Sequence, residues 1–230
     1  MKEIETWRCR VACAPMRKEQ SDKSEMINQA LFGETLEILE DLGNWARVKL
    51  QFDGYEGFME KRLLIQTNKD EKYFYHILSH QTVELPEGTL TLPFGAQSKY
   101  GSEAILGLDW SINQFLGTPY LWGGKSTFGT DCSGFVQTAF RVLGINLPRD
   151  AYQQVDFGKT VHFANEALPG DLAFFSNKEG KIIHVGICIE NQEIVHSAGW
   201  VKIDLLDQQG IFNRETQHYS HQLATIKRLM

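Results

Sequence analysis

Hydrophobic and polar residues alternate over short stretches in the first part of this 230-residue chain. The alternation is clear in residues 35–39 (TLEIL) and 45–50 (WARVKL), and the turn Asp53-Gly54 follows the second stretch. Alternation with a period of two indicates half-buried β-strands, and several short strands separated by turns are typical of a small barrel. We therefore predict a small β-barrel domain over residues 1–66.

The pattern changes to a helical period from about residue 106. One apolar stripe predicts a helix that starts near residue 108 and ends before Gly117, and a second stripe predicts a helix over 132–143. Three strand-like sequences follow, which are LAFF, IIHVGICI and EIVHSAG. Two helices followed by an antiparallel sheet form an α+β pattern, so we predict an α+β domain over residues 106–230.

The stretch between these two parts, residues 67–105, has a weaker pattern. It contains Pro86, Pro93 and the turn-rich sequence ELPEGTLTLPFG, which indicate loops with one or two strands. We interpret it as a connecting segment packed between the two domains, and a degenerate second barrel is the alternative.

The composition excludes several classes of partner. The net charge of −6 at pH 7 gives no basic surface of the kind that binds nucleic acid or anionic membranes. Apolar residues make up 42% of the chain, an ordinary globular value, and no stretch approaches the roughly 18 apolar residues of a membrane helix. The N-terminus has no apolar signal-peptide core, so we expect a cytoplasmic protein, or a periplasmic or extracellular one if a leader was removed.

Two of the four cysteines, Cys9 and Cys13, share a strand-like stretch near the N-terminus. An extended strand would place both on one face about 13 Å apart, which is beyond the reach of a disulfide bond. We interpret both as core thiols, since free cysteine is among the most frequently buried residues.

Cys132 lies in the first turn of the second predicted helix, behind an N-cap supplied by Thr130 or Asp131. Unpaired backbone N–H groups and the positive end of the helix dipole meet at this position. Both favour the thiolate, which is the nucleophilic form of cysteine. A buried, inert thiol is the alternative.

Two histidines are candidate partners for Cys132. A period of two places His184 on the strand face opposite the apolar Val185, and His196 lies in the next strand. A three-residue loop centred on Glu190 would put the two histidines directly opposite each other, whereas a two-residue loop would turn His196 to the other face. Together the three side chains predict the nucleophile, base and orienting residue of a cysteine peptidase.

Two other interpretations of these histidines stay open. Either histidine taken alone is also explained by ordinary packing within a sheet, and Cys132 with two histidines could bind zinc with a fourth position open. Because no adjacent pair of ligands marks a metal site, we predict no metal and no cofactor. Cys188 lies about 13 Å beyond His184 along the same strand, and we interpret it as a packing residue.

Six short sequences occur in order along residues 106–200: PYLWGG, TDCSGFVQTAF, LPRDAYQQ, LPGDLAFF, IIHVGICIE and VHSAG. In this order they resemble the NlpC-type bacterial cell-wall cysteine peptidases. Upstream, the sequences APMR, FGE and YEGF together with Trp45 resemble a bacterial SH3-like domain. The resemblance implies an α+β fold, with a papain-like cysteine peptidase domain containing an antiparallel sheet, preceded by a small SH3-like β-barrel domain.

The resemblance also implies roles for individual residues. Cys132 is then the nucleophile, His184 the general base and His196 the residue that orients it, while the Tyr120 hydroxyl stabilises the oxyanion beside the Cys132 N–H. The substrate side would be formed by Asp131, Ser133, Arg149 and Asp150. Tyr55 and Glu56 are the candidates from the SH3-like domain, where a packed tyrosine and a solvated glutamate are the alternatives.

Family members with an upstream SH3-like domain resemble γ-D-glutamyl-L-diamino acid endopeptidases, which prefer a free N-terminal L-alanine. The resemblance therefore implies hydrolysis of the γ-D-glutamyl to L-diamino acid bond in a murein peptide, with lysine and diaminopimelate both open. A buried ammonium needs anionic partners, and Asp131 is placed to provide one. A non-catalytic protein that binds cell-wall peptides and a zinc-dependent amidase are the alternative functions.

Overall fold

Two seven-stranded antiparallel sheets occur in this computed structural model, which describes residues 6–67, 75–77, 79–85, 88–98 and 107–229. The strands of the first sheet are β1 (Thr6–Cys9), β2 (Cys13–Arg17), β3 (Met26–Leu31), β4 (Thr35–Leu42), β5 (Trp45–Leu50), β6 (Glu56–Glu60) and β7 (Leu64–Gln66). Their order in space is β3-β2-β6-β5-β4-β1-β7. A 3-10 turn at Lys61–Leu63 connects β6 to β7.

The first sheet curls around one apolar core. Met16 on β2, next to one edge strand, and Leu64 on the opposite edge strand β7 share this core with Leu36 and Val48 from the centre of the sheet. Residues that alternate with them along β4 and β5 are exposed or half-buried, as the period of two predicts. The strands predicted over 35–39 and 45–50 are thereby confirmed.

Cys9 and Cys13 do not share a strand. Cys9 ends β1 and Cys13 begins β2, because the chain leaves the ladder at residues 10–12, where Arg10 N–H bonds to the carbonyl of Leu63 instead. Cys9 is buried in the core of the first sheet, as predicted, whereas Cys13 is half-buried and packs against a separate cluster. The prediction of one shared face is therefore wrong.

The described residues between the two sheets form two small ladders, which are β8 (Tyr75–His76) with β11 (Gln97–Ser98) and β9 (Gln81–Leu85) with β10 (Gly88–Leu92). Leu92 packs against Leu31 of the first sheet. Two residues further on, the Phe94 ring meets Phe115 edge to face, with ring centroids 5.7 Å apart. This segment therefore contacts both major parts of the chain.

The second sheet forms a closed ring of six strands. The elements of this part are α1 (Leu108–Phe115), β12 (Lys125–Ser126), β13 (Gly129–Thr130), α2 (Cys132–Arg141), α3 (Ala151–Gln154), β14 (Lys159–Val161), β15 (Leu172–Ser176), β16 (Ile182–Ile189), β17 (Glu193–Ala198), β18 (Trp200–Leu206), β19 (Gly210–Asn213) and β20 (His218–Arg228). The order is β14-β20-β15-β16-β17-β18-β19, and β19 also pairs with β20, which closes the ring. Short 3-10 turns occur at Ala164–Glu166 and Glu190–Gln192.

Apolar residues cover both surfaces of this ring. Phe175 and Cys188 belong to the cluster on one surface, and Val185 and Ile187 belong to the cluster that packs against α2 on the other. The helices near residue 108 and over 132–143 and the three predicted strands are confirmed as α1, α2, β15, β16 and β17. Strands β18 to β20, which close the ring, were not predicted.

Buried charges connect the two parts of the chain. Glu34, between β3 and β4, forms ion pairs with Lys125 (3.0 Å, Nζ to Oε2) and with Arg141. Burial alone would raise the pKa of Glu34, but these two cations lower it, so the carboxylate stays ionised. Each partner is less than 9% exposed, and an ion pair of this kind depends on the presence of all its members.

Within the described residues, no helix is long and apolar enough to cross a membrane.

Candidate active site

Cys132 is the first residue of α2 and lines a cavity of about 590 Å³. Asp131 is the N-cap, and its Oδ1 accepts a hydrogen bond from the N–H of Gly134 (2.8 Å). This resolves the N-cap in favour of Asp131 over Thr130. A glycine is required at 134, because a Cβ there would lie 2.1 Å from the carbonyl oxygen of Gly124. The glycine-rich loop thus packs directly on the helix start that holds the thiol.

Burial opposes the thiolate form of Cys132. It raises the pKa of the thiol to about 12 and the Asp131 carboxylate adds to the rise, while the N–H groups of Val185 and Ser133 and the Arg149 guanidinium lower the pKa. The thiolate at the helix N-terminus stays a prediction. Desolvation of the charged form acts against the helix dipole here, because Cys132 is only 8% exposed.

A buried arginine holds the loop around Cys132 in place. Arg149 donates to both carboxylate oxygens of Asp131 (2.9 and 2.6 Å) and to the hydroxyl of Ser133 (3.0 Å). Its Nε donates to Asn28 of the first sheet (2.9 Å), so one side chain connects the two parts of the chain. A paired arginine and carboxylate of this geometry is rigid as well as stabilising.

Three side chains of the second sheet form a hydrogen-bonded chain. His184 Nε2 lies 2.9 Å from His196 Nδ1, and His196 Nε2 lies 3.0 Å from Asp204 Oδ2. Burial alone would raise the pKa of Asp204, but the hydrogen bonds from His196 and from the N–H of Arg214 lower it. The carboxylate is therefore ionised and can only accept hydrogen bonds.

This chain defines the tautomer of each uncharged ring. Because Asp204 accepts, the proton of His196 lies on Nε2, and its Nδ1 accepts in turn from Nε2–H of His184. The lone pair of His184 that can take up a proton is then on Nδ1. Burial lowers the pKa of His184 well below its usual range, with His221 and His196 adding to the effect, so the ring is neutral.

The pairing of the two histidines differs in one detail from the prediction. The loop Glu190–Gln192 has three residues, but it is centred on Asn191, whose φ of +59° lies in the left-handed region that asparagine tolerates. His196 is consequently opposite Gly186, and His184 is its diagonal neighbour on the same face. The prediction of direct opposition is wrong, and the predicted contact between the rings is present because diagonal neighbours are within reach of long side chains.

Cys132 lies next to the strand that holds His184. The N–H of Val185, the residue after His184, is close enough to the thiol to lower its pKa. In the described part of the chain no hydrogen bond joins the thiol to either histidine, and catalytic hydrogen bonds often form only in the substrate complex.

Tyr120 lies near the thiol at the open side of the site. Its ring is 38% exposed, and its backbone N–H bonds to the carbonyl of Gly199 (2.8 Å). Burial raises the pKa of the Tyr120 phenol to about 12, and the nearby Cys132 and Asp131 raise it further. The hydroxyl is therefore a hydrogen-bond donor over the whole physiological pH range.

The wall of the cavity that faces Cys132 is built from both parts of the chain. Tyr55, in the turn after β5, donates its hydroxyl proton to Asp150 Oδ2 (3.4 Å). Tyr152 follows at the start of α3 and is 54% exposed. Burial raises the pKa of Asp150, while the Arg149 guanidinium opposes the rise. The Arg149 guanidinium is already engaged by both oxygens of Asp131, so the Asp150 carboxylate has charge to offer a cation that enters here.

The predicted substrate residues do not all line this cavity. Asp131, Ser133, Asp150 and Tyr55 line it, whereas Glu56 is exposed and pairs with Arg47 (2.7 Å). Arg149 and Glu56 instead line a neighbouring cavity of about 350 Å³, which also includes Tyr55 and Asp150.

Further residues of the site were not predicted. Trp122 lines the cavity and donates to Glu25, the residue before β3 (2.8 Å), and two lysines, Lys18 and Lys181, also line the cavity. Asp204 was also missed, although the alternating sequence VKIDLL at 201–206 gave a strand signal. In the structure Lys202 is directly opposite His196, and Asp204 is its diagonal neighbour.

Family models match both parts of the chain. The model of the NlpC/P60 family matches residues 117–220, and the model of the bacterial dipeptidyl-peptidase SH3 domain matches residues 16–64. The resemblance to these two families, which the sequence predicted, is thereby confirmed.

Individual proteins agree with these models. The chain is 33% identical over 212 residues to a γ-D-glutamyl-L-lysine dipeptidyl-peptidase of Bacillus subtilis (strain 168), covering 74% of this chain and 71% of that protein. It is 28% identical to the protein of the same name from Bacillus cereus (strain ATCC 10987 / NRS 248), covering 77% and 68%. A crystal structure of an NlpC/P60 family protein from Bacillus cereus ATCC 10987 has a TM-score of 0.72 at 22% identity, covering 97% of this chain and 99% of that one. The last comparison concerns the fold alone.

Proposed function

Since the chain belongs to the NlpC/P60 family and is a cysteine peptidase, we propose that it hydrolyses the γ-D-glutamyl to L-lysine bond of murein peptides. The observation that supports this best is the cavity at Cys132, which is lined by residues from both parts of the chain. The relatives from Bacillus subtilis and Bacillus cereus are named for this activity, and the similarity to this chain covers most of their length. We further propose that the helices and ring of the second part form a papain-like α+β domain.

The proposed reaction uses neutral partners. The Cys132 sulfur attacks the γ-carbonyl carbon of D-glutamate while Nδ1 of His184 takes the thiol proton, and His196 and Asp204 hold the base in this tautomer. The protonated ring then gives its proton to the leaving α-amine of lysine, which leaves a thioester on Cys132. Water hydrolyses the thioester with His184 again as the base, and the free thiol is restored.

Two donors would stabilise the oxyanion that forms at the attacked carbonyl. The N–H of Cys132 is at a helix start, where backbone N–H groups have no partner within the helix. The Tyr120 hydroxyl keeps its proton at neutral pH, so it can supply a second hydrogen bond. A pair of such donors is a common source of rate enhancement in acyl transfer.

The wall at Tyr55 and Asp150 would bind the free N-terminal ammonium of the substrate. Asp131 lines the same cavity, but both its oxygens are already engaged by Arg149. Asp150 is half-buried, and its carboxylate would gain a compensating charge when an ammonium binds. We therefore propose Asp150 as the main anionic partner and Asp131 as a secondary one.

The test of this proposal compares two peptides, L-Ala-γ-D-Glu-L-Lys and its N-acetylated form. We expect kcat/KM for the acetylated peptide to be at least tenfold lower, because acetylation removes the charge that Asp150 would pair with. An N-methylated peptide, which keeps its charge, is the matched control and should be cleaved nearly as well as the parent. Equal rates on the free and acetylated peptides would overturn the proposed recognition.

A further inference from the structure

Three histidines cluster on one surface of the ring of strands. One ring nitrogen from each of His184, His196 and His221 lies within 4.8 Å of the others. The His221 ring stacks on His184 with centroids 4.1 Å apart and an angle of 21° between planes, and the His196 ring stands nearly perpendicular to both. Imidazole nitrogens are preferred ligands of zinc and similar divalent transition metals.

The partner of His196 is typical of a metal ligand. Its Nε2–H donates to the Asp204 carboxylate, which leaves the lone pair of Nδ1 directed toward His184. A carboxylate behind a histidine is the usual arrangement in zinc sites, where it fixes the tautomer and raises the basicity of the ring. Asp204 is itself held by the N–H of Arg214 (2.9 Å) and by Lys202 (3.4 Å).

The cluster is accessible from outside the Cys132 cavity. His221 is half-buried and lines a second cavity of about 640 Å³, together with polar residues such as Asn177 and Tyr219. Nδ1 of His221 lies 2.9 Å from the Ser220 hydroxyl, so Nε2 is the ring nitrogen that we assign to the ion. Zinc–nitrogen bonds of about 2.0–2.1 Å in a tetrahedral site place the nitrogens about 3.3 Å apart. His184 Nε2 and His196 Nδ1, now 2.9 Å apart, would separate slightly, and the His221 nitrogen would move closer to both.

We infer that His184, His196 and His221 form an inhibitory site for a divalent transition-metal ion of the zinc class, with water in the fourth position. A neutral imidazole has one lone pair, and an ion coordinated by His184 occupies it. Coordination through Nε2 moves the single ring proton to Nδ1, so neither nitrogen can then accept the proton of Cys132. Binding of the ion depends only on the cluster, and its inhibitory effect rests on the proposed function.

The binding test uses calorimetric titration of the full chain with zinc chloride in the Cys132→Ala background, which removes both turnover and the nearby thiol. We expect one ion per chain, and at least tenfold weaker binding when His221→Ala is added. His218→Ala is the matched control, since His218 is exposed on the same strand β20 and lies outside the cluster. His221→Gln repeats the test with a bulkier side chain if the alanine variant is poorly folded.

The inhibition test measures the ratio of peptidase rates without and with zinc for the parent and for His221→Ala. We expect half-inhibition of the variant to require a zinc concentration at least tenfold higher than half-inhibition of the parent. No stoichiometric binding to Cys132→Ala, or equal affinity with and without His221, would overturn the metal site. Zinc binding in a chain that cleaves no murein peptide would instead overturn the proposed function and leave the binding site standing.

Discussion

The candidate site has two walls, a proposed reaction wall and a proposed recognition wall, which are built in different ways. The reaction wall consists of Cys132, His184 and His196, which all come from the second part of the chain and are less than 9% exposed; of these three, Cys132 lines the cavity. On the recognition wall Tyr55 from the first sheet meets Asp150 and the 54% exposed Tyr152 from the second part. The proposed reacting groups are thus buried within one part of the chain, whereas the proposed binding groups meet at the junction of the two parts.

This difference has a consequence for kinetics. Groups that hold or move a proton at the reacting atoms act in the transition state, so their loss lowers kcat. Groups that only hold the distant end of the substrate contribute to binding, so their loss raises KM. Substitutions on the two walls are therefore expected to separate into these two classes.

The largest effect is expected on the reaction wall. His184→Ala removes the proposed base, and we expect kcat to fall by about 10³-fold or more with a small change in KM, because general-base catalysis typically contributes 10²–10⁴-fold. Steady-state kinetics on L-Ala-γ-D-Glu-L-Lys measure both constants. His218→Ala, an exposed histidine on β20, is the control and should leave both unchanged. A His184→Ala protein with near-normal kcat would contradict the assignment of this wall.

A smaller effect is expected on the recognition wall. Tyr55→Phe removes the hydroxyl that bonds to Asp150, and the loss of one hydrogen bond of about 1 kcal/mol should raise KM by roughly fivefold. The value of kcat should stay within about twofold. Tyr219→Phe, whose hydroxyl contacts Asp207 outside this cavity, is the matched control. A fall in kcat without a change in KM would show that the two walls do not separate as described.

The smallest effect is expected when the pH is lowered. The base form of His184 exists above its folded pKa, and burial lowers that pKa well below 6.5, so activity should extend to more acidic pH. An unshifted histidine of pKa 6.5 would lose about tenfold in kcat/KM between pH 7.5 and 5.5. We expect a loss of less than about twofold over that interval. A half-maximal value at pH 6.5 or above would contradict a buried, neutral base.

Local features of the site could be predicted from the sequence. The start of α2 at Cys132 and its Asp131 cap depend on neighbouring residues, and both occur as the pattern indicates. The shared face of His184 and His196 follows from the strand period and from a loop of three residues. The exact pairing did not follow, because it depends on the left-handed backbone of Asn191.

Features that depend on distant packing could not be predicted. The raised pKa of Cys132 is a result of burial, which is set by how the ring and the glycine loop enclose the thiol. The partner of Arg149, Asn28, lies 121 residues away in the sequence. His221 reaches His184 only because β20 closes the ring of strands, and no local pattern indicates that closure.

The measurement that tests the central claim most directly is identification of the products from L-Ala-γ-D-Glu-L-Lys-D-Ala by mass spectrometry. The parent protein should release L-Ala-D-Glu and L-Lys-D-Ala, and Cys132→Ala should release neither. Cys188→Ala is the control, because Cys188 is also a buried cysteine, and burial likewise raises the pKa of its thiol to about 12. Cleavage at the same bond by Cys132→Ala, or at another bond by the parent, would contradict the account.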